Sequence, residues 1–312
     1  MPDHELRDRL DQAIDALLAG TEPPAAAELR PLLEIVAGLR QMPGEQFQNR
    51  LKSELQRTRN MTIFTSARAR EGLHTVTSFI AVPEASRLIA FLKQTFDATE
   101  TARHTHNEGG FVATLRIGDA DVLVMSGESV RGKERIGAFH VFVPDCDATY
   151  ARAIAAGGTS LGEPADRPYG ERSGFVKDFA GNSWFIATRL GEPVHIEGLR
   201  TVVPYLHPSK ARAFIDFAKR AFEAEPLAVY EQGGRVMHAA VRIGDTVLEM
   251  GEAEPQPCAF YLSVEDCDAW YDRAIAAGAT SLWPPADQPY GDRTAGVVDP
   301  FGFQWVPAAP MR

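Results

Sequence analysis

The chain has only three cysteines, Cys146, Cys258 and Cys267, and no CxxC or CxxH spacing. So sparse and odd a set excludes a disulfide framework and points to reduced thiols in a reducing compartment. Positive charge is also short: 32 Lys and Arg stand against 42 Asp and Glu, a formal net charge of −10 over 312 residues. That speaks against a nucleic-acid binder, which needs clustered cations facing phosphates. No uninterrupted apolar run reaches membrane-spanning length, and the opening MPDHELRDRL has no apolar stretch for a secretory signal. There is no GxSxG for an acyl-transfer serine and no GxxxxGKS or GxxxxGKT loop for a phosphate. These gaps leave a cytoplasmic protein that handles small molecules, with no nucleic acid and no membrane as partner.

What is present is a long duplication. DCDATYARAIAAGGTSL (Asp145 to Leu161) returns as DCDAWYDRAIAAGATSL (Asp266 to Leu282). IAFLKQTF, from Ile89, returns as IDFAKRAF, from Ile215, and RIGD closes related runs at Asp119 and Asp245. PADRPYGERSG (Pro164 to Gly174) matches PADQPYGDRTA (Pro285 to Ala295). The period is far too long for a solenoid, so two whole domains stand in tandem, over 73–190 and 198–312. Residues 1–72 lie outside the repeat. Apolar stripes there, at Leu6, Leu10, Ile14 and Leu17, at Leu32, Leu33, Val36 and Leu39, and at Phe47, Leu51 and Leu55, predict a short all-α segment and linker. That segment either packs as a small bundle or docks a protein partner.

Within one copy the β-branched run TVTSFIAV predicts a strand, and Leu88, Phe91, Leu92 and Phe96 predict a helix over 85–96. Phe111 to Ile117 alternates and stops at Gly-Asp, a hairpin signal, with Val122 to Met125 as its return strand. AFHVFV opens a second unit, whose helix over 147–156 closes at Gly157-Gly158. Each copy reads βαβββ followed by βαβββ, giving an α+β fold. HPSK at His207 predicts a strand end followed by a Ser209 helix cap.

Paired βαβββ units, with AIAAGGTSL after the second helix and DPFGFQW before the last strand, resemble the vicinal-oxygen-chelate superfamily of glyoxalases, bleomycin-resistance proteins and extradiol dioxygenases. RIGD, YGDR and DPFG look most like its PhnB-like branch. The resemblance implies tandem domains packed as an internal pseudo-dimer around cup-like cavities. It also implies that metal-dependent members hold a divalent ion there on His, Gln or Glu, from the first and fourth strand of each unit. Counting along this chain puts those positions at Thr77, Val124, Ala138 and Phe185 in copy one, and Val203, Glu249, Ala259 and Val306 in copy two. Only Glu249 is a donor of the implied type. A slip of one residue would exchange faces, and His74, His140 and His207 lie where a slip would matter.

The expected function is therefore direct binding of a small anionic or aromatic molecule, without a family-type metal site and with no cofactor. The alternative is a metal-dependent lyase or dioxygenase with a non-standard site around Glu249 and His238. Alternation points His238, Ala240 and Arg242 into the cup, with Ala240 opposite Glu249 if Gly244-Asp245 is a two-residue turn. The same reasoning nominates Arg116, which matches Arg242; His140 and Tyr261, which match each other; and Tyr205 and His207. Tyr169, Arg172, Tyr290 and Arg293 come from the repeated Tyr-Gly-acid-Arg phrase. Its arginines either reach over the cavity mouth toward an anion or pin the loop to Asp178 or Asp299. Trp184 and Trp305 read as core. Cys146 and Cys267 open helices, where a thiol pKa is lowered, but neighbouring Asp residues oppose that effect.

Overall fold

The computed structural model describes residues 73–105, 110–127, 130–191 and 196–311. The helices expected within 1–72 lie outside the described residues. Four βαβββ modules follow one another. The first is β1 (Val76–Ala81), α1 (Ala85–Phe96), β2 (Thr99–Thr105), β3 (Phe111–Ile117) and β4 (Ala120–Ser126). The second is β5 (Ala138–Phe142), α2 (Cys146–Ala155), β6 (Thr159–Arg167), β7 (Glu171–Lys177) and β8 (Ser183–Arg189). The third is β9 (Val202–Leu206), α3 (Ala211–Phe222), β10 (Glu225–Gln232), β11 (Arg235–Ile243) and β12 (Thr246–Met250). The fourth is β13 (Ala259–Ser263), α4 (Cys267–Ala276), β14 (Thr280–Asp287), β15 (Asp292–Val298) and β16 (Gln304–Pro310).

The modules pair across the copies. One eight-stranded sheet runs β14-β15-β16-β13-β1-β4-β3-β2 and joins the first and last modules; the other runs β10-β11-β12-β9-β5-β8-β7-β6 and joins the middle two. They are called the terminal and middle sheets below. The seams are antiparallel, β1 with β13 and β5 with β9. Within a copy the modules meet instead through helix-side cores. Phe96 packs on Trp184 with ring centroids 5.1 Å apart, and Phe222 on Trp305 at 4.6 Å. Both tryptophans are fully buried, as expected. Each indole N–H donates to an aspartate, Asp178 at 3.0 Å or Asp299 at 2.8 Å, which also accepts backbone N–H groups of its own turn.

The RIGD phrases hold the copies together. Asp119 Oδ1 accepts from Thr201 N at 2.7 Å and Thr201 Oγ1 at 2.8 Å, while Asp245 Oδ1 accepts from Thr75 N at 2.8 Å. Each aspartate thus satisfies the residue just ahead of the other copy's first strand. The glycine before each has a left-handed φ, +58° at Gly118 and +55° at Gly244. A Cβ there would stand 2.2 Å from Thr201 Oγ1 or 2.3 Å from Thr75 Oγ1. His74, expected near a first-strand position, belongs to this clasp: Nδ1 lies 2.9 Å from Asp245 Oδ2.

Local caps follow the sequence except in one place. Asp145 and Asp266 cap α2 and α4 by accepting from Ala148 N and Ala269 N. Helix α3 is not capped by Ser209. Its cap position is Lys210, and Glu252 accepts the buried Ala211 N–H at 3.0 Å, so a distant carboxylate replaces the local hydroxyl.

Candidate binding site in the middle sheet

Strand register builds the concave face of the middle sheet. Tyr205 of β9 stands opposite Ala138 of β5 on one side and Glu249 of β12 on the other; Glu249 in turn stands opposite Ala240 of β11. His140 faces Val203 across the seam and Phe185 of β8 beside it. The expected two-residue turn at Gly244-Asp245 is therefore present, with the register that it implies.

At the centre, His140 lies between two carboxylates. Nδ1 is 2.8 Å from Glu249 Oε2 and Nε2 is 3.2 Å from Glu171 Oε2. Side-chain exposure is 12% for His140, 15% for Glu171 and 9% for Glu249. Burial alone would push the imidazole towards its neutral form. The hydrogen bonds from the ring to Glu171 and Glu249 reverse this and raise His140 to about 9. Burial likewise opposes ionisation of Glu249, but the bond and charge of His140 hold it below the ordinary carboxylate range, with smaller help from His238 and Arg189. Both ring nitrogens are committed, so the group is a buried imidazolium bracketed by acceptors.

Rings form the wall around this centre. Tyr205 packs edge-on to Phe185 at 5.2 Å, with His207 at 5.3 Å and His238 at 6.1 Å. Phe175 meets Phe185 at 5.4 Å, and Phe142 lies 4.3 Å from the His140 ring. All of these rings are half-buried. Burial pushes His207 towards its neutral form, and it raises the Tyr205 phenol together with nearby Glu249. The exposed Tyr169 adds a weaker charge effect on Tyr205, which puts it near the mouth.

The corresponding face of the terminal sheet is filled by its own side chains. Phe79, Ala81, Leu123, Ala259, Tyr261, Val306 and Ala308 form a buried cluster, with Tyr290 packed against it. Tyr261, the match of His140, is fully buried, and its hydroxyl donates to Asp292 Oδ2 at 3.1 Å. Leu123 stands opposite Thr114 and beside Phe79, as Glu249 stands opposite Ala240 and beside Tyr205. The fourth-strand position in copy one is thus Leu123. Val124, expected there, faces the helix-side core; the count slipped by one residue and one face.

The nominated arginines are not brought to the middle cup. Arg116 makes a paired contact with Asp121 at 2.6 and 2.7 Å. Arg242, expected beside Glu249, is drawn to Glu197 and Glu225. Arg172 binds Asp147 and Asp166, and Arg293 binds Asp268 and Asp287. They therefore tie a hairpin to the start of a helix, and not to Asp178 or Asp299, whose oxygens are engaged by the indoles and turn amides. The acid of the same phrase was missed. Glu171 reaches His140, and Asp292 reaches Tyr261. Neighbours on a strand point to opposite faces, so an outward arginine sends the acid inward. That alternation was available in the sequence.

The four positions where a family-type ion would be held in this cup carry Val203, Glu249, Ala138 and Phe185. Three are hydrocarbon, and the Glu249 carboxylate is bonded to His140. Glu171 and Glu249 approach opposite ring nitrogens and do not converge. Among the described residues, no group of three or more His, Cys, Asp or Glu side chains could hold a metal ion. This donor set does not fit such an ion. Cys146 and Cys267 are buried thiols, and burial raises both, Cys267 to about 12.

Comparison with known proteins agrees with this architecture. A model of the Glyoxalase/Bleomycin resistance protein/Dioxygenase superfamily matches residues 72–186 and 206–306. An uncharacterized protein of Mycobacterium tuberculosis strain H37Rv is 33% identical over 138 residues, covering 39% of this chain and 81% of that protein. One from Mycobacterium bovis is 35% identical over 125 residues, covering 35% and 82%. Among solved structures, glyoxalase I from Zea mays superposes with a TM-score of 0.61 at 17% identity, over 75% of this chain and 91% of the other. A putative dioxygenase from Bacillus subtilis gives 0.53 at 13% identity, over 76% and 84%. At these identities the solved structures speak to the fold alone.

Proposed function

Because the chain belongs to the Glyoxalase/Bleomycin resistance protein/Dioxygenase superfamily, whose fold hosts both catalysts and plain binders, we propose that its middle cup binds a small aromatic molecule directly, without a metal ion. The observation that carries this reading is the half-buried wall of Phe185, Tyr205, His207 and His238 around a bracketed imidazolium. Rings present flat, polarizable surface for stacking, and the remaining carboxylate oxygens accept a hydrogen bond that orients the guest. An aromatic guest is favoured over a purely anionic one, since Arg116, Arg172, Arg242 and Arg293 are held in ion pairs elsewhere. The buried free thiols support a cytoplasmic setting.

A screen of small aromatic compounds by thermal shift and calorimetry tests the reading. A true ligand at 100 times its Kd adds roughly 2.7 kcal/mol of stability. Tyr205→Ala and Phe185→Ala then weaken it about tenfold or more, at roughly 1–3 kcal/mol per lost stacking partner. Purified protein carrying stoichiometric metal that Glu249→Ala removes would overturn the proposal.

A further inference from the structure

Resting on the reading that the middle cup takes an aromatic guest, we propose that this guest carries a carboxylate and that Arg167 recognises it. Arg167 ends β6, where it stands opposite Glu171 of β7. Its Nε donates to Ser173 Oγ at 3.2 Å and its Nη2 to Ser173 O at 3.1 Å. The guanidinium carbon stands 4.9 Å from the centre of the Phe175 ring. Glu171, Ser173 and Phe175 share one face of β7 by alternation, the face that meets His140 and Phe185. Arg167 therefore lies along the cup side of β7, one ring away from Phe185.

No acid meets the charge of Arg167. Both Ser173 contacts are to neutral oxygens, and among the described residues no carboxylate forms an ion pair with it. Its neighbour Asp166 is drawn to Arg172. Glu171 turns Oε2 to His140, whose positive charge offsets it. Arg167 is only half-buried, and its Nη1 donates to none of the described residues. A guanidinium carries more N–H donors than these two contacts use, and it matches a carboxylate with two parallel hydrogen bonds. This sets Arg167 apart from Arg116, Arg172, Arg242 and Arg293, each committed to carboxylates. The other copy supplies an independent sign. In its matching phrase, PADQPYG, Gln288 takes the place of the arginine. That side chain is buried and donates to Ala286 O at 3.3 Å, in the sheet whose cup is filled by Tyr261 and its neighbours. The cation stands in the cup lined by half-buried rings and is missing from the filled one, although the Tyr-Gly-acid-Arg run beside it is present in both.

Calorimetry on the full chain with cinnamate, and with cinnamamide as its uncharged counterpart, tests the assignment. Cinnamate binds one per chain and at least about tenfold more tightly than cinnamamide, as a charge-assisted contact implies. Arg167→Gln, which installs the residue of the other copy, weakens cinnamate about tenfold and leaves cinnamamide within about twofold. Arg167→Met keeps an apolar stem over Phe175 and gives the same readout should Arg167→Gln lower the melting temperature. Tyr205→Ala weakens both probes. Equal affinity for the two probes, no binding of cinnamate at millimolar concentration, or a charge preference that survives Arg167→Gln would overturn the role of Arg167. Equal affinity that Tyr205→Ala still weakens would leave the aromatic cup standing without its carboxylate site. Probes indifferent to Tyr205→Ala would remove the cup itself, and the carboxylate site with it.

Discussion

His140 concentrates the site's chemistry in one side chain. Its folded pKa, about 9, lies above its ordinary 6.5. A group raised in this way stabilises the fold fully below its unfolded pKa and loses that contribution as pH rises through the folded one. Stability should therefore fall between about pH 6.5 and 9, by at most roughly 3 kcal/mol for a shift of this size. Glu249 works in the opposite sense: its pKa is depressed, so its share is lost as pH falls into the acid range. NMR titration of the His140 ring, with melts across this range, checks the assignment. Glu249→Gln should bring the ring back toward its ordinary value and flatten the alkaline loss; a wild-type ring titrating near 6.5 would refute it. The thiols give a second residue-scale prediction. Cys146, Cys258 and Cys267 are buried and burial raises each pKa. None should react with a thiol reagent at pH 8 in the native state, and all three should on unfolding.

The RIGD hairpin turns are elements whose purpose is visible only in the pair of copies. Asp119→Ala strands the Thr201 N–H and hydroxyl and should cost about 1–3 kcal/mol in urea unfolding. Gly118→Ala should also destabilise, through both its left-handed φ and the approach of Thr201. By contrast, Arg172→Met should leave the urea midpoint nearly unmoved, because its ion pairs with Asp147 and Asp166 lie in solvent. A large loss there would mean that the hairpin depends on that arginine. The same scale explains which strands the sequence counted in the βαβββ order but did not locate. The edge strands β2, β6, β10 and β14 are exposed or only half-buried along their length. With neither face buried, TETARHT and EPLAVYEQ carry no clear apolar–polar alternation.

At the scale of the whole chain, duplication gives two cups but unequal ones. The terminal cup is closed by Leu123, Tyr261 and Val306, so a cup ligand should bind once per chain. Calorimetry or native mass spectrometry of the complex reads this directly, and two equivalent sites would contradict it. Because β1 pairs with β13 and β5 with β9, a chain nicked between residues 190 and 198 should remain associated at micromolar concentration. The sequence alone determined the repeat, the βαβββ order and the tryptophan cores, since these follow from local periodicity and residue chemistry. It also brought His140, Tyr205, His207, His238 and Glu249 forward. Only the tertiary structure decided that each sheet forms between copies, that Arg172 and Arg242 turn to acids, and that Glu171 closes on His140. Those outcomes depend on which strand edges meet and on one-residue choices of face, and pairing between distant segments leaves no mark in either segment by itself.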